Sequence, residues 1–328
     1  MGALKRLVAT VDRWQRHNRV AAPAYGVTKK FGDDQANLLV VALGWYGFTA
    51  IYPLLLVVVT VFGFIGVASL GSGIVKTLHQ FPVIGSQFNP GNGGSNLHGS
   101  VIGLVIGVAG LIYGAQGVTQ TAHQAMITVW DTPTDARPGI LPRLIRSVSA
   151  LLIIGGAFIV NAFAGSIAAG IGQTLVLRVG LLAAMVVCNV GFYLASFRML
   201  TAKNVETRSL VPGSILGGVV FTLLITLGTG LVQHQLRHAS ATYGAFASVI
   251  GVVTFLFLLA KLSVYAAELN TVLAHHLWPR ALPTTPPTEA DIRAEQGTRR
   301  PEESRSADAT DGSDNGKREQ EPQPAGHR

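Results

Sequence analysis

Long uncharged stretches separated by short basic segments are the feature that most limits how this chain can fold. Twenty-one of its 25 Lys and Arg residues lie in four segments: residues 1–30, 137–146, 198–208 and 280–328. Two apolar stretches lie between each basic segment and the next. Cytoplasmic loops of multi-pass membrane proteins retain Lys and Arg. The alternation therefore predicts an all-α polytopic membrane protein.

Six apolar segments are long enough to cross a bilayer, which takes about 20 residues per helix. They are residues 36–68, 100–128, 147–172, 176–198, 210–233 and 243–271. An even number of spans places both termini on one side, and seven basic residues precede the first span. This predicts a multi-pass protein of the plasma (inner) membrane, with a six-helix bundle over residues 31–278 and both termini in the cytoplasm.

The two ends of the chain differ from this membrane domain in composition. Residues 1–30 carry a set of apolar side chains at helical spacing: Leu4, Leu7, Val8, Val11 and Trp14. With basic residues largely on the other faces, the pattern predicts an amphipathic helix in the membrane interface, attracted to anionic lipid. A helix docked on the bundle is the alternative. Residues 279–328 are polar and rich in proline, so we expect a disordered cytoplasmic tail.

The second span carries two stripes of distinct chemistry. Small residues that allow close helix packing recur at spacings of three and four: Gly103, Gly107, Gly110, Gly114 and Gly117. Beside them runs a row of polar side chains: Tyr113, Gln116, Gln120, and His123 or Gln124. Because unpaired amides are costly in hydrocarbon, such a row predicts a water-accessible path or a substrate groove, or else hydrogen bonds between helices.

Single residues in the first and last spans are further candidates. Pro53 lies in the middle of the first span, where it forms either a functional hinge or a static kink. Lys261, Tyr265 and Glu268 share one face of the last span. Lys261 and Glu268 are about 10 Å apart along the axis, which favours a link through Tyr265 or water over a direct ion pair. Ionisable residues in a span suggest function, so we add these three to the polar path; snorkelling of Lys261 and capping by Glu268 are the alternatives.

Motifs for catalysis and cofactor binding are missing from the sequence. It contains no phosphate-binding loop, no zinc-protease motif, no nucleophile elbow and no dinucleotide fingerprint. His234 and His238 have no neighbouring Cys, Asp or Glu that would complete a zinc site. We therefore expect no enzyme, no metal and no cofactor. The net charge of +8 reflects membrane orientation, so we expect no nucleic-acid partner.

Four blocks of the sequence carry a resemblance to a known family. They are DDQANLLVVALGWYGFTAIYPLLL (33–56), AHQAMITVWDTPTDARPGILPRL (122–144), LVPGSILGGVV (210–220) and YGAFASVIGVVTFLFLLAKLSVYAAELN (243–270). Together they resemble the YihY/BrkB family of bacterial inner-membrane proteins, which includes members named YhjD. The resemblance covers about residues 30–278 and implies six spans with both termini in the cytoplasm. At the matched positions of the first and last blocks, the resemblance implies a shared role for five residues: Asp34, Tyr46, Pro53, Glu268 and Asn270. Lys261 stands where family members often have an apolar or aromatic residue.

The resemblance also implies a set of functional labels: ribonuclease, virulence or serum resistance, envelope integrity and lipid-related export. A metal nuclease needs clustered His and carboxylates, which the sequence does not display. We expect transport or exchange of a lipid or amphiphile for the cell envelope, with membrane lipids and envelope or lipid-transport proteins as partners. The alternatives are a small-solute or ion pathway along the same polar row, and a structural membrane scaffold without transport.

Overall fold

The computed structural model describes residues 10, 12–13, 15–65, 101–132, 140–170, 175–203, 205–283 and 285–297. The predicted outer loop (69–99), the apolar residues Leu4 to Val11 with Trp14, and the tail beyond residue 297 lie outside this set, as do the side chains of 227–248. The long helices are α1 (Ala21–Asp33), α2 (Ala36–Ile65), α3 (Val101–Val129), α4 (Ile140–Gly170), α5 (Leu175–Leu200) and α6 (Val211–Ala274). A 3-10 turn, Thr207–Leu210, precedes α6.

The all-α prediction is confirmed, since the described residues form helices and no strand. Four stretches among them are long and apolar enough to cross a membrane: Ala36–Leu54, Leu175–Leu200, Thr207–Thr226 and Val249–Ala274. The chain is therefore a multi-pass membrane protein. Two further helices, α3 and α4, have 29 and 31 residues, and α3 contains no charged side chain.

Helix α6 is a pair of antiparallel arms rather than one rod. Its 64 residues are continuously helical, where the sequence predicted two spans. The backbone N–H of Gly213 nevertheless donates to Oδ1 of Asn270 at 2.6 Å. A straight helix would separate these residues by about 85 Å, so the chain must reverse between them. We refer to residues 211–226 as the first arm and residues 249–274 as the second arm.

The glycine stripe of α3 packs against α2, as its spacing predicted. A Cβ at Gly110 would lie 3.2 Å from the ring of Pro53, and one at Gly114 would lie 2.9 Å from Cβ of Ala50. At Gly117 a Cβ would overlap the ring of Tyr46. The two helices are antiparallel and touch along three successive turns. Pro53 is thus packed against α3, inside helix α2.

Buried amides join α4, α5 and the first arm of α6. Asn161 and Asn189 exchange two hydrogen bonds, at 2.8 and 3.1 Å, and Nδ2 of Asn189 also donates to Thr222 at 2.9 Å. All three side chains are buried. In a membrane span these bonds replace the water that the amides would otherwise need. They fix the packing of three helices at one level.

The buried core is concentrated at the end of the bundle where α1 lies, which we call the α1 end. Its members come from α1, the start of α2, the ends of α3, α5 and α6, and the 3-10 turn: Phe31, Ala36, Val40, Met126, Val129, Trp130, Phe197, Leu200, Leu210, Ala260, Val264, Ala266 and Ala267. By contrast, the first turns of α5 are exposed. The polar and charged groups buried at the α1 end therefore lie beside this packed core.

One expectation about the chain ends needs correction, at the C-terminal end. At the N-terminal end, helix α1 docks on the bundle, where Val27 packs with Val272 of the second arm and with Leu277. The residues that carry the interfacial prediction, Leu4, Leu7, Val8, Val11 and Trp14, lie outside the described part of the chain, so that prediction is untested. The predicted disordered tail is wrong for residues 281–297. They include a helix at 289–297, and Ala281 and Ala290 are buried. Ion pairs to α1 supply the binding energy that composition alone did not reveal.

Candidate functional site

The last turn of α1 positions two Lys–Asp pairs on two different faces. Lys29, Lys30, Asp33 and Asp34 follow one another at spacings that put each Lys one turn before an Asp. Lys29 and Asp33 point to the tail, where they bind Asp291 and Arg280 respectively. Lys30 and Asp34 point into the bundle and bind each other at 2.7 Å. One short helix therefore serves two separate ionic networks.

The inward pair belongs to a buried charge cluster made of Lys30, Asp34, Asp131 and Glu268. The ammonium group of Lys30 also binds Asp131 at 3.2 Å. Glu268, on the second arm of α6, has no exposed surface, and it interacts electrostatically with Asp34, Lys30 and Asp131. One ammonium thus faces three carboxyl groups, contributed by the α1–α2 junction, the end of α3 and the last turns of α6.

Burial governs the ionisation of this cluster. Burial, partly offset by the charge of Lys30, raises the pKa of Asp34 from 3.8 to about 6. Burial alone would lower the pKa of Lys30, but Asp34, Glu268 and Asp131 outweigh it and raise that pKa above 10.5. Lys30 therefore keeps its charge at neutral pH, while Asp34 lies within reach of physiological titration.

Three helix ends around the cluster use left-handed residues that are not glycine. Gln35, Asp131 and His276 have φ values of 49°, 47° and 50°. Asp131 ends α3 in a Schellman arrangement, in which its own N–H bonds to Thr128 and the N–H of Thr132 bonds to Ile127. This backbone turn aims the Asp131 carboxylate at Lys30. The left-handed geometry is less costly for Asp than for most residues, because its short side chain tolerates it.

A second network attaches the tail to α1. We call it the tail network; its members are Lys29, Asp33, Arg280 and Asp291. Arg280 is buried and binds Asp291 and Asp33, each at 2.6 Å. Asp291 also accepts hydrogen bonds from Lys29, Thr288 and the N–H of Ala281. Burial alone would raise the pKa of Asp291, but this set of donors outweighs burial and holds the pKa well below its usual range. The tail is thereby fixed to α1 on the outer side of the buried charge cluster.

The polar row of α3 occupies a surface distinct from its packed glycine face. Tyr113 is 79% exposed, Gln120 is exposed and Gln116 is half-buried. His123 differs, because its Nδ1 donates to the carbonyl of Leu200 at 2.7 Å. That carbonyl belongs to the last turn of α5, where carbonyl groups have no N–H donor within their own helix. The row is open along Tyr113 to Gln120 and ends in a structural contact at His123.

The three candidates on the last span are not brought together as a path. Lys261 is exposed on the bundle surface. Tyr265 stacks on Phe31 of α1, with ring centroids 4.3 Å apart. Glu268 is buried with Lys30 as its nearest cation, so the expected link from Lys261 through Tyr265 does not occur. The six residues between Lys261 and Glu268 carry the chain from the bundle surface into the packed α1 end.

Sequence reasoning missed Lys30 and Asp131 as site residues. In the sequence, Lys30 is one of seven basic residues in the segment 1–30. Asp131 follows the predicted second span, which ends at residue 128, and was therefore expected in a loop. The sequence KKFGDD (29–34) contained the available signal. It places each Lys one helical turn before an Asp, which indicates that these lysines form ion pairs within the protein. Arg280 and Asp291 had no local pattern, since they meet α1 only in the folded chain.

One of three comparisons with known proteins identifies a family. No curated protein and no solved structure matches the chain. The family profile described as Virulence factor BrkB matches residues 27–290. That range contains the buried charge cluster, the polar row of α3 and most of the tail network. Because the match covers most of the 328 residues, the chain belongs to the Virulence factor BrkB (YihY/BrkB) family of membrane proteins.

Proposed function

We propose that this protein lets a lipid or similar amphiphile move across or exchange within the inner membrane, in support of the cell envelope. It does so as a six-span protein without catalytic activity, and its α1 end and both termini are in the cytoplasm. Membrane lipids are its direct partners, with envelope or lipid-transport proteins as recipients. The observation that carries the proposal is the exposed polar row of α3.

The row is unusual because it lies in one of the six proposed spans and yet, among the described residues, its neighbours leave it largely uncovered. Helix α2 packs against the glycine face, which leaves Tyr113, Gln116 and Gln120 on an open side. Unpaired amides cost several kcal/mol in hydrocarbon, so these side chains need water or polar headgroups. A lateral groove that admits water and lipid headgroups would provide hydrogen-bond partners for these side chains.

The same face supports an amphiphile better than an ion. Towards the far end of α3 it presents exposed Ile102 and Ile106, and towards the α1 end it presents Gln116 and Gln120. The distance along the helix from Ile102 to Gln120 is about 27 Å, close to the thickness of the hydrocarbon core. An apolar half and a polar half match an acyl chain and a headgroup, whereas a pore for ions is enclosed by helices on all sides.

Reconstitution in vesicles tests the proposal. Fluorescent phospholipid is placed in both leaflets, and a membrane-impermeant quencher reports how fast the inner-leaflet lipid becomes accessible. We expect Gln116→Leu/Gln120→Leu to slow this movement about tenfold, equivalent to about 1.4 kcal/mol in the barrier. The matched control is Val187→Leu, at an exposed apolar site on α5 that should not affect the rate.

Two outcomes would contradict lipid movement as the function. Vesicles that release small solutes or ions without moving lipid would favour the pathway for small solutes. Vesicles that do neither, with folded protein present, would favour a scaffold. In both cases the double variant should first be shown to unfold at the same detergent concentration as the wild type.

A further inference from the structure

The most unusual buried group in the described part of the chain is the carboxyl group of Glu268. It has no exposed surface, and neither of its oxygens receives a hydrogen bond from a donor among the described residues. A buried carboxylate without donors carries a large desolvation cost. Such groups are retained in proteins when they bind something, and the surroundings of Glu268 indicate what it binds.

The nearest donor cannot satisfy Glu268. The ammonium group of Lys30 is committed to Asp34 at 2.7 Å and to Asp131 at 3.2 Å. The side chain that interacts most strongly with Glu268 is instead the carboxyl of Asp34. Two carboxyl groups form a hydrogen bond only if one of them carries a proton. Two negative charges in contact in a buried site also repel each other strongly, which favours one shared proton.

We propose that Asp34 and Glu268 form a proton-binding site that loads from the α1 end of the protein. The ligand is a single proton shared between the two carboxyl groups. With the proton bound, Lys30 is opposed by two carboxylate charges instead of three. This site involves neither the polar row of α3 nor the movement of lipid, so it stands or falls independently of the proposed function.

The other groups that face the pair are compatible with proton exchange. They are Lys30 from α1, Asp131 from the end of α3 and His275, which follows α6 and lies edge-on to Trp130. The tail approaches Asp131 through Gly297, where a Cβ would lie 3.2 Å from the carboxylate. Asp131 is partly exposed and His275 is exposed, so both connect the buried pair with solvent.

A proton is favoured over a metal ion at this position. The described residues contain no group of three or more His, Cys, Asp or Glu arranged to hold a metal. The ammonium group of Lys30 already binds Asp34 and Asp131 and would repel a second cation. A proton needs only one oxygen atom from each of the two carboxyl groups.

Infrared difference spectroscopy of the full chain in lipid nanodiscs tests this site. A protonated carboxyl group has a C=O stretching band that the carboxylate lacks. We expect the wild type to keep such a band above pH 6, because the pair retains one shared proton after Asp34 has ionised at its pKa of about 6. Glu268→Gln should remove the band that remains above pH 6, whereas Glu206→Gln, which alters an exposed acid, should leave it unchanged.

A second variant and a change of salt keep the test decisive. Asp34→Asn should also remove the band that remains above pH 6, which protects the conclusion if Glu268→Gln fails to fold. Replacing potassium by sodium in the buffer should not move the midpoint. A band that persists in both variants would overturn the proposal, and so would a midpoint that shifts with sodium, because the pair would then be a cation site.

Discussion

The backbone N–H of Gly213 donates to the side chain of Asn270 at 2.6 Å, although 57 residues separate the two positions. Gly213 lies in the first turn of α6, where N–H groups have no acceptor within the helix. Asn270 comes from the far end of the same element and supplies that acceptor. This contact closes the antiparallel arms of α6 and brings Glu268, two residues earlier, to the α1 end.

Removing this contact should destabilise the packing of the two arms. Asn270→Ala leaves a buried N–H unpaired, at a cost of about 1–3 kcal/mol. Gly213→Ala should be at least as harmful, because its Cβ would overlap the carbonyl of Ala266. Unfolding of purified protein in mixed detergent measures both, with exposed Lys261→Ala as the control. Equal stability of all four proteins would mean that the contact contributes nothing.

The buried amide network makes a prediction about α5. Asn189→Ala removes the partner of Asn161 and of Thr222 and should lower the unfolding free energy by about 1–2 kcal/mol. Cys188→Ser, at the neighbouring but exposed position, should change it little. The same detergent titration compares them. If the two variants are equally stable, hydrogen bonds between these helices do not fix their packing.

The tail network predicts that removing the charge of Asp291 loosens the tail without disturbing the helical bundle. Asp291→Asn weakens the attachment to Lys29 and Arg280, so residues 281–297 should become sensitive to protease while the helical bundle stays intact. Glu289→Gln, an exposed acid two residues away, is the matched control. Mass spectrometry of limited digests identifies the cleavage sites. An unchanged digestion pattern for Asp291→Asn would show that apolar packing alone holds the tail.

The buried charge cluster predicts a pH dependence of stability with a definite sign. The pKa of Asp34 rises from 3.8 to about 6 on folding. Its contribution to stability is therefore complete below pH 3.8 and is lost as the pH rises through about 6. Burial lowers the pKa of His275, which acts in the opposite direction over part of this range.

The difference between two proteins isolates the contribution of Asp34. The change in thermal unfolding temperature from pH 5 to pH 8 should be more negative for the wild type than for Asp34→Asn. Glu206→Gln should behave as the wild type. An Asp34→Asn protein with the wild-type pH dependence would assign the titration to another group.

The sequence predicted the helical class and the glycine packing because both depend on local patterns. A spacing of three and four places Gly110, Gly114 and Gly117 on one face whatever the neighbours are. Long apolar segments likewise predict membrane helices from composition alone. The family resemblance directed attention to Asp34 and Glu268, which the structure places side by side.

What could not be predicted depended on contacts between distant parts of the chain. Arg280 and Asp291 look like ordinary tail residues until α1 presents Asp33 and Lys29 to them. Lys261 and Glu268 share a helical face, yet one is exposed and the other buried, because α1 covers only the last turns of α6. Periodicity specifies a face but not where along the helix another element packs.

The exposed polar row of α3 is the basis of the proposed function, and its contact with water inside the membrane can be measured directly. In a Cys188→Ser background, Gln116→Cys should react with a hydrophilic maleimide about tenfold faster or more than Val187→Cys, because a thiol reacts as thiolate, which hydrocarbon suppresses. Both proteins are labelled in intact vesicles under identical conditions. Fast labelling at position 116 is the result we predict. Labelling at position 116 as slow as at position 187 would contradict a hydrated groove and with it the movement of amphiphiles along α3.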